Sequence, residues 1–269
     1  MLDLHCHILP GVDDGPTTLE EALAVARLAA ADGITHVVAT PHCHRHIRMT
    51  RDLVLPHVRQ FHRALAEADV RLTVLPGSEI QVFDSALYRR EFEAGLYCHL
   101  GDGSSFTLLE FAWDARRYPA DAPELVGWLR ERRMTPIVAH PERYKFFRDD
   151  PARLRAVADA GAWLQVTVDS LLGNHGEMPQ TFGTEILDGF ADVVLATDAH
   201  RTGRCSGLSA GYTWVRARFG PERERDLRER STSVLEAIQV SERCERPDED
   251  RTARDADDAE DADSHGLRH

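Results

Sequence analysis

Cysteine is too sparse and too badly spaced to organise this chain. Five cysteines (Cys6, Cys43, Cys98, Cys205 and Cys244) are spread over 269 residues, with no C-x-x-C pair among them. An odd, scattered set excludes both a disulfide framework and a zinc ribbon, and a reducing cytoplasm is the expected setting. No apolar run approaches 18 residues, and no basic start leads into an apolar segment with a cleavage site, so neither membrane insertion nor export is expected. Positive charge is also in deficit. A formal net charge of -13 opposes polyanionic partners, because DNA binding depends on lysines and arginines that neutralise phosphates. Nucleic acid is therefore not an expected partner.

What remains is enough for one sizeable core. At 269 residues and 42% hydrophobic, a single large α/β domain is expected. Short apolar runs at Leu2 to His5, Ile34 to Thr40, Arg71 to Pro76, Phe106 to Phe111, Thr135 to His140, Ala162 to Val168 and Asp192 to Thr197 read as seven buried parallel strands. Helical patterns lie between them. The first, TTLEEALAVARLAAADG, offers Thr18 as N-cap with Glu21 three residues on and Gly33 as the stop. Others follow at Arg51 to Ala68, Ala122 to Arg133, Pro151 to Ala160, Thr181 to Gly189 and Ser209 to Arg218. Regular βα alternation implies a parallel sheet, and a barrel is favoured because polar residues gather at the carboxyl ends of the strands, where barrel active sites are built.

The first strand ends in His5 and His7, which alternation sends to one side while Cys6 points away. The second runs into ATPH at His42, the third into GSE at Glu79, the fourth into LLE at Glu110, the fifth into VAH at His140, and the seventh into ATDAH at Asp198 and His200. Asp14, in the VDDG loop, can reach the same mouth; Asp13 is an alternative, because sequence does not orient the pair. Only the sixth strand contributes no obvious ligand. Repetition of His, Asp and Glu at six of seven strand ends points to bound metal.

Together DLHCHILPGVDDGP, TPHCH, PGSEI, LLEF, AHPERY and TDAH resemble the polymerase and histidinol phosphatase (PHP) superfamily. The HILPGVDDGP stretch resembles its bacterial metal-dependent protein-tyrosine phosphatase branch, linked to capsular and exopolysaccharide synthesis. The resemblance covers about residues 2 to 240. It implies a distorted seven-stranded (β/α)7 barrel holding three divalent ions. It also implies His5, His7, Glu79 and Asp198 around one ion, Asp14, His42 and His200 around a second, and Glu79, Glu110 and His140 around a third, with Glu79 bridging. Mixed nitrogen and oxygen ligands suit Mn, Fe or Zn better than Ca or Mg. Three divalent ions against four carboxylates leave a net positive site that attracts a phosphate dianion, and metal-activated hydroxide is the implied attacker on phosphorus. The implied substrate is a phosphotyrosine protein, a bacterial tyrosine kinase controlling polysaccharide export; a small-molecule phosphoesterase such as a histidinol-phosphate phosphatase is the alternative. No cysteine has an arginine six positions later (Met49 follows Cys43, Gly211 follows Cys205, Asp250 follows Cys244), so the Cys-x5-Arg loop of thiolate phosphatases is absent.

Arginine matches phosphate oxygens with a planar fork. Arg143 in HPERY matches an arginine of the family motif, and Arg204 is the choice for a second clamp over Arg201, although RTGRCSG departs from the family spacing. His36 reads as a strand residue, His44 and His46 as a solvated basic loop, and His57, His62, His99 and His175 have no partner at ligand spacing. Phe111, Trp113, Tyr144, Phe146 and Phe147 read as rim packing. The segment from Ser241 to His269 is rich in carboxylates and nearly devoid of large apolar side chains, which predicts a disordered acidic tail after a domain of residues 1–240.

Overall fold

The computed structural model describes residues 1–114, 118–203 and 206–245. Its strands are β1 (Leu2–Cys6), β2 (His36–Ala39), β3 (His42–Cys43), β4 (Thr73–Pro76), β5 (Glu79–Val82), β6 (Phe106–Phe111), β7 (Thr135–Ala139), β8 (Trp163–Thr167) and β9 (Val193–Ala196). They form a three-stranded sheet in the order β1-β2-β4 and a six-stranded sheet in the order β3-β5-β6-β7-β8-β9. Every pairing is parallel. The parallel α/β reading therefore holds, and each of the seven expected stretches contains a strand. The count differs, because two stretches are followed by an extra short strand and no closed sheet is present among the described residues. The breaks have a local cause. Pro41 and Pro76 lack the N–H that would carry a ladder across. Gly77 then lets the chain press against β2, where an added Cβ would lie 2.6 Å from Val38 Cγ1. The two sheets meet again at β1 and β9, where Asp198 N donates to His5 O (2.9 Å) and His7 N to Ala199 O (2.9 Å).

Helices cover the sheets: α1 (Leu19–Ala31), α2 (Arg51–Glu67), α3 (Ser85–Glu93), α4 (Ala122–Glu131), α5 (Lys145–Asp149), α6 (Pro151–Asp159), α7 (Val168–Leu171), α8 (Glu177–Gly189), α9 (Leu208–Phe219) and α10 (Pro221–Glu245). Thr18 caps α1 as expected, its hydroxyl accepting from Glu21 N at 3.2 Å. The reciprocal half of the box is displaced by one residue, since Glu21 takes the N–H of Thr17. Helix α10 lies outside every expected helix, and it passes the expected boundary at residue 240: Ser241 to Glu245, expected to begin the tail, are helical, and residues 246–269 lie outside the described residues.

The core has two parts. An outer layer packs the helices on the strands. The inner one takes Leu2 and Leu4, Val38, Leu75, Phe106 and Leu108, Ile137 and Ala139, and Val194 and Ala196, and is closed by Val234 and Ile238 of α10. Alternate residues of successive strands thus share one interior layer. Helix α10 packs directly over Gly101 (φ 69°), where a Cβ would lie 2.3 Å from Ile238 Cγ2.

Candidate metal centre

Strand β1 reverses its alternation midway. Its ladder with β2 slips between Asp3 and Cys6. Asp3 and Cys6 face α1, lining a cavity with Val25 and Leu28, while Leu2 and Leu4 face the inner core. Beyond the slip the inward positions become His5 and His7. A one-residue irregularity shifts side-chain parity in this way.

All nine expected ligands converge. His5 Nε2 is 3.2 Å from His7 Nε2, 3.3 Å from Asp198 Oδ1 and 3.6 Å from Glu79 Oε2. His7 Nε2 lies 3.4 Å from Glu79 Oε2 and 3.5 Å from Asp198 Oδ1. Asp14 Oδ1 is 3.5 Å from His42 Nε2 and 3.3 Å from His200 Nε2. Glu79 sits centrally, with Oε1 2.8 Å from His140 Nε2 and Oε2 2.9 Å from His42 Nδ1. Four donor groups emerge: His7, Asp14, His42 and His200; His5, His7 and Asp198; His5, Glu79 and His140; and His42, Glu79 and Glu110. The first two resemble the expected sets, with His7 joining both. Glu110 and His140 do not share one group; the Glu110 carboxylate accepts from Gln81 Nε2 at 2.6 Å.

The rear of the imidazoles shows how the set is held. His5 Nδ1 donates to Gln165 Oε1 (2.8 Å), His7 Nδ1 to Asp13 Oδ2 (2.7 Å), and His200 Nδ1 to the Asp198 carbonyl (2.8 Å). With each Nδ1–H engaged, each Nε2 presents a lone pair to the cluster, the tautomer that metal ligation requires. Asp13 and Asp14 take different places about His7, Asp14 in the donor group with His42 and His200. The Asp13 side chain is fully buried behind His7 and also accepts from His42 N and Gly15 N. Gln165, invisible as a ligand in the sequence, makes β8 the strand that orients two members, since Oε1 also accepts from His140 N at 3.3 Å. A polar residue inside the apolar stretch WLQVT is the signal that could have found it. His140 (φ 35°) and Asp198 (φ 52°) hold left-handed backbone, a strained conformation that concentrates at functional positions.

The electrostatics ask for cations. Burial would raise the Glu79 carboxyl, but His5 and His42 outweigh it and hold the group well below its usual range. Burial is likewise overcome at Asp198 by His5, His140 and His7, leaving it at about 2. Hydrogen bonds to His200 and then His42 hold Asp14 far down. Burial opposes charge on His7 and His42, yet carboxylates lift them to about 10 and about 12 respectively. Burial, then repulsion from Glu79, pushes Glu110 up to about 8. Without metal, protons supply the positive charge this buried carboxylate set needs, and a divalent ion supplies it better by displacing them. His140 Nδ1 is also buried without a hydrogen-bond partner among the described residues. The donors fit divalent metal.

Arg143, on the turn Pro141–Arg143, places Nη1 2.5 Å from Asp198 Oδ2. Its guanidinium carbon lies 5.0 Å from the centre of the Trp113 ring. Arg201 is exposed, and Arg204 lies outside the described residues. Phe111, Tyr144, Phe146 and Phe147 are buried and pack together, in agreement with the packing reading. Trp113 departs from it: 49% exposed, the indole stacks on His140 at 5.3 Å and 13°. Beside it an open groove of about 300 Å³ descends to His42 and Glu110.

The chain is similar to several known proteins. The family model described as capsular polysaccharide synthesis, CpsB/CapC, matches residues 1–236. Tyrosine-protein phosphatase YwqE of Bacillus subtilis is 31% identical over 201 residues, covering 74% of this chain and 77% of the relative. Tyrosine-protein phosphatase CpsB of Streptococcus pneumoniae is 26% identical over 239 residues, 84% of this chain and 94% of its own length. Among solved structures, one from work on YwqE and S. pneumoniae CpsB, described as unique metal-dependent tyrosine phosphatases, superposes with a TM-score of 0.83 at 29% identity, over 88% of this chain and 95% of that one. The family match spans both sheets and every residue of the cluster, and on that ground the chain belongs to the CpsB/CapC family of capsular polysaccharide synthesis proteins.

Proposed function

We propose that this protein is a metal-dependent protein-tyrosine phosphatase, acting in the cytoplasm on a phosphotyrosine protein of capsular or exopolysaccharide synthesis, a bacterial tyrosine kinase. The observation that carries the reading is the set of imidazoles anchored from behind so that their Nε2 atoms face Glu79, Asp14 and Asp198. Family membership and the named activities of YwqE and CpsB support it. We read the strands as one distorted seven-stranded barrel, β2 passing into β3, β4 into β5, and the Cys6–Ala199 bridge joining the ends. Residues 1–240 form the catalytic domain in this reading.

His5, His7 and Asp198 hold one ion in this reading. Asp14, His42 and His200 hold a second, and Glu79, Glu110 and His140 a third, with Glu79 shared. Manganese is the assigned metal, and iron or zinc suits the same donors. Divalent ions bound there neutralise phosphate charge and lower the pKa of water. Arg143 spends one N–H on Asp198, leaving others for the phosphate. The bond to Asp198 fixes the guanidinium at the cluster edge, so it meets the phosphate without reorganising. Arg204 remains the proposed second clamp.

The test is dialysis against a chelator, reloading with manganese, iron or zinc, and assay on phosphotyrosine peptide, phosphoserine peptide and histidinol phosphate. Turnover should vanish with the metal, return on reloading, and favour phosphotyrosine, whose phenolate leaves more readily. Full activity after stripping would overturn the assignment. Much faster turnover of histidinol phosphate would install the small-molecule alternative.

A further inference from the structure

The groove beside the cluster has a constructed wall. His42 and Glu110 lie at its floor, Phe83 and Trp113 line it, and the loop bearing His44 and Arg45 borders it. The His44 ring stands 5.3 Å from the ring of His42. Its Nδ1 accepts two backbone N–H groups, from His46 and Ile47, each at 3.1 Å. An imidazole nitrogen that accepts cannot also carry the proton, so the N–H of the ring lies on Nε2. The turn His44–Ile47 thereby converts a surface histidine into an oriented hydrogen-bond donor. Its backbone is tied down as well, by His44 N donating to Ile47 O at 2.7 Å.

We propose that this groove seats the aromatic ring of the substrate and that His44 Nε2–H donates to its ester oxygen, the atom that becomes the phenolate. This rests on the reading that the cluster holds the phosphate. The ring of an aryl phosphate projects away from phosphorus through that oxygen. The Phe83 and Trp113 rings in an otherwise mostly polar groove next to the cluster, with the oriented His44 ring 5.3 Å from His42, match that sequence of groups. As the bond from phosphorus to the ester oxygen breaks, charge accumulates on that oxygen. A donor already oriented there stabilises the transition state more than the ground state. The proton stays on His44, and the departing phenolate takes its own from water. Arg45, whose guanidinium carbon is 5.8 Å from the Phe83 ring centre, stiffens the outer wall.

The experiment compares leaving groups. Phenol, like tyrosine with a pKa of about 10, needs the hydrogen bond more than p-nitrophenol does. In His44→Phe, loaded with manganese, kcat/KM should fall about 10- to 100-fold for phenyl phosphate and less than about threefold for p-nitrophenyl phosphate. His44→Gln, which keeps an N–H near the same place, should recover part of the loss. Metal content by elemental analysis should be unchanged. Phenylphosphonate, which has no ester oxygen, should inhibit the native enzyme and His44→Phe alike. Equal losses on both esters, or loss of metal from the variants, would assign His44 a structural role and overturn the proposal. If the native protein with manganese hydrolyses neither ester, the phosphatase reading itself fails and this proposal with it.

Discussion

At one end of the strands, Leu2, Leu4, Val38, Leu75, Ile137 and Val194 fill the interior and α10 closes it with Val234 and Ile238. A few residues further along, the interior holds His5, His7, Glu79, Glu110, His140 and Asp198, all buried and several in contact. Each of these floor positions is apolar, and each of these mouth positions is ionisable. Parallel strands make this division possible because their side chains stack in layers, and each layer can be composed independently. The floor supplies burial free energy. The mouth holds unfavourable charge and left-handed backbone at His140 and Asp198, which persist because the surrounding structure over-determines them.

If that division is real, substitutions at the mouth should change chemistry with little change in melting temperature, and substitutions at the floor should do the reverse. The largest effect is expected at Glu79, which approaches His5, His7, His42 and His140 within 3.6 Å, whereas Glu110 lies 4.0 Å from His42. Glu79→Gln should lower kcat by about 1,000-fold or more, roughly 4 kcal/mol, and reduce metal content more than Glu110→Gln does. Equal metal content in the two variants would remove the special place of Glu79.

Arg143→Ala comes next. It should cost about 2 to 4 kcal/mol of transition-state stabilisation in kcat/KM on phosphotyrosine peptide while elemental analysis finds the metal retained. Loss of metal instead would mean that its bond to Asp198 serves the cluster and not the substrate.

Gln165→Leu preserves size but removes the acceptor behind His5. A weakening of metal affinity by about 10- to 100-fold is expected, measured by chelator competition, with activity restored at high metal concentration. Unchanged affinity would mean that His5 keeps its orientation without Gln165.

The smallest effect belongs to the floor. Ile238→Val should reduce stability by about 0.5 to 1.5 kcal/mol in denaturant unfolding and leave metal content and turnover as they were. A fall in turnover beyond that loss of folded protein would show that the two layers are coupled.

The cluster could be read from sequence because its members occupy the ends of strands, and strand ends are visible as apolar runs that stop at a polar residue. What lay inside a run was hidden. Gln165 interrupts β8 without ending it, and β3 and β5 are too short to show any period of their own. Asp13 and Asp14 are adjacent in a turn, where no alternation tells front from back. Helix α10 escaped because its buried positions, Leu227, Ser231, Val234 and Ile238, are a thin stripe in a segment dominated by arginine and glutamate. His44 looked like a solvated residue because its orientation depends on two backbone N–H groups, which composition does not reveal.

The slip in β1 makes the frame of the strand itself part of the active site. The segment is read in one frame up to Leu4 and in the opposite frame from His5 onward. Leu4 and His5 are neighbours, and its apolar pair and its imidazole pair both face inward only because the alternation breaks between them. Drawing the strand into regular alternation with every residue kept and Leu2 and Leu4 still inward would turn both imidazoles toward α1, destroying the centre while deleting none of its ligands. A chain paired in that frame would carry every ligand in its sequence and still hold no centre.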